Sequence, residues 1–120
     1  LRFTTVYGGA GAQRGMFMDK LKDRSLEYVT NHIRDFVHID DVINAITLLM
    51  SLDIDKLKPA YDIGTGKGYV VSELAQAGGY AVEPQEGDEC EALDNTADIT
   101  EIKKLGWEPT IDVLEYIKAL

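Results

Sequence analysis

The chain has 120 residues, 45% of them hydrophobic, with 12 basic against 21 acidic side chains and a formal net charge of −9. That length suits one compact domain with one core, and the acidic balance excludes nucleic acid or an anionic membrane as partner, since both need Lys and Arg to displace counterions. One cysteine, Cys90, and two histidines, His32 and His38, leave neither an internal disulfide nor metal-ligand spacing, and no apolar run approaches the ~20 residues of a membrane span, so a soluble, cytoplasmic protein is expected.

Residues 1–7 (LRFTTVY) have the β-branched and aromatic content of a strand. A chain that opens in mid-strand reads as cut from a longer protein, the other source being tag removal or lost leading residues. Gly8 to Gly15 is too small and flexible for an element interior, and residues 16–22 form a short helix with Phe17 and Leu21 on one face. Residues 26–30 alternate apolar with polar, and Phe36, Val37 and Ile39 supply a second short strand beyond a turn near Asn31 and His32, which suggests a hairpin or neighbouring pair. A helix over residues 40–52 follows: Asp40 can cap it, Asp41 lies in its first turn, and Val42, Ala45, Ile46 and Leu49 share one buried face.

Residues 60–63 read as a strand, 64–68 (GTGKG) as a turn-rich loop, and Ser72 as the cap of a short helix stopped by Gly78 and Gly79. The acidic, aperiodic residues 83–95 are a loop. Asp98 to Glu101 resembles a capping box, with Ile99, Ile102 and Leu105 on one side of a helix ended by Gly106. Trp107 covers the core, and Thr110 starts a last helix whose stripe is Ile111, Leu114, Ile117 and Leu120.

Two glycine runs invite comparison with phosphate-binding loops. In the first, G-x-G-x-x-G read from Gly9 puts Arg14 at the third glycine, where helix and strand must pack closely, so a flexible loop is the better reading. In the second, Gly68 stands where a P-loop needs a hydroxyl after Lys67, and a turn is the better reading. Asp53 and Asp55 lack the remaining ligands of a calcium loop and read as surface charge. Arg34 differs, because it opens an apolar strand where a guanidinium is costly without an anionic partner. That partner is either a bound phosphate or carboxylate, or an internal carboxylate such as Asp35, Asp40 or Asp88.

Four segments in this order carry a resemblance: residues 1–8 (LRFTTVYG), 34–42 (RDFVHIDDV), 61–66 (YDIGTG), and 97–99 with 105–109 (ADI and LGWEP). Together they resemble the C-terminal part of the NAD-dependent epimerase/dehydratase family, extended short-chain dehydrogenases/reductases acting on nucleotide sugars. The resemblance covers nearly the whole chain, and residues 5–8 (TVYG) with Met16 and Phe17 look most like UDP-glucuronate 4-epimerases. It implies an α/β fold: the C-terminal substrate-binding subdomain of an extended Rossmann-type enzyme without its N-terminal dinucleotide-binding half. Residues 1–120 would be one substrate-binding domain, with 1–7 the last part of the parent dinucleotide-binding sheet.

By position, the resemblance puts Phe3 by the nicotinamide end of NAD and Thr5 where many members carry an asparagine reaching the substrate diphosphate. It puts Leu26 to Tyr28 at the edge of the base, Arg34 on the diphosphate, and Gln85 and Asp88 in the family's Arg-x-Gly-Asp, which contacts phosphate and ribose. The chain departs from the family at several points. Gln85 replaces an arginine, losing charge and two-pronged donor geometry. Gly9 replaces a proline, and residues 72–83 are short for the family. The glycine fingerprint, the catalytic Ser/Thr and the Tyr-x-x-x-Lys pair are absent from the sequence. The expected role is therefore the nucleotide-sugar-binding portion of an epimerase or dehydratase, with no catalytic residue and no NAD bound by this chain alone. The alternative is a stand-alone binding or assembly module, for which an open strand edge at residues 1–7 suggests a strand-paired homodimer.

Overall fold

The computed structural model describes residues 1–8, 29–30, 32–79, 84–85 and 94–119. The loop and helix expected over residues 9–22 and most of the acidic loop lie outside the described residues, as do Tyr28 and Asp88.

The first strand forms as its composition predicts, but in two pieces, β1 (Arg2–Phe3) and β2 (Thr5–Tyr7), each with its own partner. β1 runs parallel to β6 (Asp62–Ile63), and β2 runs parallel to β5 (Phe36–His38) in the register Thr5 to Phe36, Val6 to Val37 and Tyr7 to His38. The switch occurs at Thr4, whose N–H donates to the Ile63 carbonyl at 3.1 Å, while the next N–H, of Thr5, donates to the Asp35 carbonyl at 3.0 Å. Residues 33–38 divide in the same way. β4 (Ile33–Arg34) runs antiparallel to β7 (Tyr69–Val70), then Asp35 intervenes and β5 turns to β2. Of the residues expected to form a hairpin or neighbouring pair with 36–39, the two described ones, β3 (Val29–Thr30), pair in parallel with β8 (Pro84–Gln85) instead.

Alternation along β2 and β5 sends successive side chains to opposite faces. Val37 joins Val42, Ala45, Leu49, Tyr61, Ile63, Ile99, Ile102 and Trp107 in one buried cluster, against which Val6 also packs. Phe36 and Tyr7 join Leu74, Val113 and Ile117 in the other. The single core expected from length is thus two clusters, because this strand pair is covered on both faces.

Helix α1 (Ile39–Met50) matches the predicted helix to within two residues at each end, and Val42, Ala45 and Leu49 are buried as their spacing requires. Its cap is His38 rather than Asp40. The helix starts one residue early, so the Asp40 N–H is one of its unbonded donors, and His38 Nδ1 accepts from it at 3.1 Å. Helix α2 (Val71–Ala77) likewise starts before its expected cap: Val70 is the N-cap, with no side-chain bond, and Ser72 is buried in the first turn. Gly78 ends it as expected.

Helix α3 (Thr100–Lys103) begins beside Asp98, whose Oδ1 accepts from the Thr100 N–H at 3.1 Å and hydroxyl at 2.6 Å. Helix α4 (Val113–Lys118) starts later than Thr110. Asp112 caps it through the Glu115 N–H, and its buried residues are Val113 and Ile117, with Ile111 and Leu114 half-buried. Thr110 is drawn away from the helix by Asp41, which lies in the first turn of α1 as expected and is 1% exposed. The Asp41 carboxylate accepts from the Thr110 N–H and hydroxyl at 3.0 and 2.8 Å and from the Ile111 N–H at 3.0 Å. Its carbonyl accepts from Trp107 Nε1 at 3.0 Å, so one residue of α1 fastens the whole approach to α4.

Candidate functional site

The two divided strands meet at Asp35, which is 0% exposed. A buried carboxylate is costly unless its oxygens are filled by donors, and here five hydrogen bonds fill them. Thr65 donates from its N–H at 2.8 and 3.1 Å to the two oxygens and from its hydroxyl at 2.6 Å; Gly66 N–H donates at 2.9 Å and Ala97 N–H at 3.2 Å. The loop at residues 64–68 is a turn, as read from sequence, and its N–H groups cradle an anion belonging to the chain itself. Gly64 is required by this approach, since a Cβ there would lie 2.7 Å from Asp35 Oδ2 and 2.9 Å from both Thr4 Oγ1 and the Ala97 Cβ. Gly66 is required for another reason, its φ of +76°.

Asn95 completes the junction. Its Oδ1 accepts from the Asp35 N–H at 2.7 Å, its Nδ2 donates to Thr5 Oγ1 at 3.4 Å, and its own N–H donates to the Ile33 carbonyl at 3.2 Å. Arg34 sits between the two residues that Asn95 holds. The guanidinium is half-buried and its Nη1 also donates to the Ile33 carbonyl, at 2.9 Å. Of the carboxylates weighed as its internal partner, Asp35 is filled by the donors above and Asp88 lies outside the described residues. Nearby, hydrogen bonds from the Thr96 hydroxyl and N–H hold the Asp94 carboxyl below its ordinary pKa, and the positive charge of Arg34 adds a smaller pull in the same direction.

Among the expected site residues, Thr5 and Arg34 therefore lie on strands that Asn95 joins. Thr5 is half-buried and lies one strand away, bonded to Asp35 from its N–H and to Asn95 at its hydroxyl. Phe3 is on the other pair, opposite Ile63, with 45% of its surface exposed. The Gln85 backbone is beside Thr30 in the β3·β8 pair. Tyr28 and Asp88 lie outside the described residues. Sequence reasoning missed Asn95 and the internal role of Asp35. The only local signal was the polar Asp35 inside an apolar strand, which needs a partner to be buried.

Opposite Arg34 in the β4·β7 register lies Tyr69, whose hydroxyl donates to Asp112 Oδ1 at 2.7 Å and so ties this strand to the start of α4. Burial raises the Tyr69 pKa, and the ammonium of Lys67 lies 4.9 Å from its ring centroid. Beneath, Tyr7, His38 and Tyr116 form an aromatic cluster, with Tyr7 edge-on to His38 at 5.2 Å and to Tyr116 at 5.0 Å. Gly8 closes it: its φ is +92°, and a Cβ there would come 2.4 Å from His38 Nε2.

The fold that carries this junction is shared with proteins of known name. A Methanocaldococcus jannaschii protein assigned by name as a UDP-glucose 4-epimerase is 31% identical over 98% of this chain and 42% of its own length. The UDP-glucose 4-epimerase of Thermotoga maritima, solved with UDP-glucose, superposes with a TM-score of 0.73 at 27% identity, over 98% of this chain and 42% of that one. The chain matches a C-terminal part of the NAD-dependent epimerase/dehydratase family. MoeE5, solved with UDP-glucuronic acid and NAD, gives a TM-score of 0.78 at 26% identity, over 97% of this chain and 43% of that one. This epimerase-like chain thus spans about two-fifths of the relatives it matches, with the mixed α/β fold of that portion. No family model matches it.

The N–H groups of Thr65 and Gly66 are taken by Asp35 and so are not offered to a phosphate.

Proposed function

We propose that this chain is the nucleotide-sugar-binding portion of an NAD-dependent UDP-sugar epimerase or dehydratase. The observation that carries the reading is the junction of Arg34 and Thr5, in a chain 31% and 27% identical to UDP-glucose 4-epimerases over almost all its length. A guanidinium pairs with diphosphate through charge and parallel N–H donors, and a threonine hydroxyl adds one neutral donor. In this reading Arg34 takes the diphosphate, Thr5 a neighbouring oxygen, Tyr28 the edge of the base, and Gln85 and Asp88 the phosphate and ribose side.

Residues 1–120 act as one substrate-binding domain. Residues 1–7 extend the sheet of a dinucleotide-binding half that holds NAD in the intact parent, with Phe3 nearest the nicotinamide. NAD supplies hydride acceptance and return. This chain orients the sugar nucleotide for that chemistry and contains no Tyr-x-x-x-Lys pair for the proton transfer. Its setting is cytoplasmic, and no described helix is long and apolar enough to cross a membrane.

Calorimetric titration with UDP-glucose and UDP-glucuronic acid tests the reading. Arg34→Ala should weaken binding by roughly 1.5–3 kcal/mol, the worth of a charged hydrogen bond. Equal affinity in both proteins would return Arg34 to a purely structural role.

One observation favours the second reading, an assembly module. β1 pairs only with β6 among the described residues, and Leu1 and Phe3 are 53% and 45% exposed beside it.

A further inference from the structure

The geometry points to Asn95 as a positioning residue of the same site, one that sets the direction of the Thr5 hydroxyl and fixes its distance from Arg34. This rests on the diphosphate reading above.

A threonine hydroxyl has one donor and two acceptor positions and rotates to suit its neighbours. Asn95 Nδ2 donates to Thr5 Oγ1 at 3.4 Å, which fills an acceptor position and leaves the O–H to donate outward. An outward O–H suits an oxygen that only accepts, as in a phosphoryl group. Asn95 cannot turn its amide round, because Oδ1 is committed to the Asp35 N–H at 2.7 Å, and a reversed amide would set two donors against each other. Nor can the residue slide, because its own N–H is bonded to Ile33, on the other side of Arg34. The three bonds run from a segment late in the chain to two strands 60 and 90 residues earlier. They join the strand that bears Thr5 to the strand that bears Arg34 through one planar amide.

The test is titration of the full chain with UDP, using Asn95→Ala, Asn95→Asp, Thr5→Val and the double variant Thr5→Val/Asn95→Ala. Asn95→Ala should raise the Kd about tenfold, on the order of one hydrogen bond's worth. Asn95→Asp keeps an acceptor for Asp35 and so protects the fold, but its carboxylate draws the Thr5 O–H to itself. It should weaken UDP by a similar factor, and the loss should persist in 1 M salt, where a distant charge is screened. In the Thr5→Val background Asn95→Ala should add less than about twofold, since the group it positions is gone.

Asn95→Asp binding UDP as tightly as the wild type, or losses from Thr5→Val and Asn95→Ala that simply multiply, would overturn the inference while leaving the diphosphate reading in place. A wild-type chain that does not bind UDP would overturn both.

Discussion

Tyr7 contributes a large buried aromatic surface and, with it, a phenolic hydroxyl that finds no hydrogen-bond partner among the described residues. A buried hydroxyl stripped of water costs about 1–3 kcal/mol, which the ring's contacts with Phe36, His38 and Tyr116 offset. Tyr7→Phe keeps those contacts and removes the cost, so the unfolding free energy should rise by about 1 kcal/mol in urea denaturation. Burial, with the negative charges of Asp112 and Asp41 behind it, also raises the Tyr7 pKa above its ordinary 10.0. A group that holds its proton more tightly when folded stabilises the fold fully below its unfolded pKa and loses that contribution as pH rises past it. The wild type should therefore lose stability above about pH 10 more steeply than Tyr7→Phe, and parallel alkaline melts of the two proteins would remove Tyr7 as the cause.

At the scale of elements, short strands with different partners are joined by two buried carboxylates. Asp35 closes the division between β4 and β5 by gathering N–H groups from residues 65, 66 and 97, and Asp41 does the same for the approach to α4 with residues 110 and 111. Strands of two and three residues make too few ladder bonds to fix their own direction, so side-chain anchors decide it. Asp35→Asn is the sharpest test, because it preserves shape but turns an NH2 toward donors. It should cost about 3 kcal/mol of stability, with loss of at least two charge-assisted bonds. An unchanged urea midpoint would show that the loop at 64–68 is held by something else. The same substitution should also weaken UDP binding, since Arg34 and Thr5 are bonded through this residue.

At the scale of the molecule, charge governs association. With a net charge of −9, two copies repel, and any pairing through the exposed β1 edge must overcome that repulsion. Raising ionic strength from 0.1 to 1 M shortens the screening length from about 10 to about 3 Å. If β1 pairs copies of the chain, light scattering should show the dimer fraction rising with salt. A monomer at every salt concentration, at high protein concentration, would remove the assembly reading and leave the edge of β1 to another part of a longer protein.

The sequence determined what depends on neighbours along the chain. The period of Val42, Ala45 and Leu49 defined α1, Gly78 marked the end of α2, whereas α3 ends at Lys103, short of the Gly106 expected to stop it, and the order of four short motifs was enough to find the family and to single out Arg34 and Thr5. Caps were less legible: His38 replaced Asp40, Val70 replaced Ser72 and Asp112 replaced Thr110, the last because the buried Asp41 claims Thr110. Which strand lies beside which was decided only in three dimensions. Short strands carry no register of their own, and β1 and β2, continuous in sequence, take separate partners. The same holds for Asn95. Nothing in its local sequence distinguishes it, since its role consists of bonds to residues 33, 35 and 5, and a contact between distant residues leaves no period in either segment.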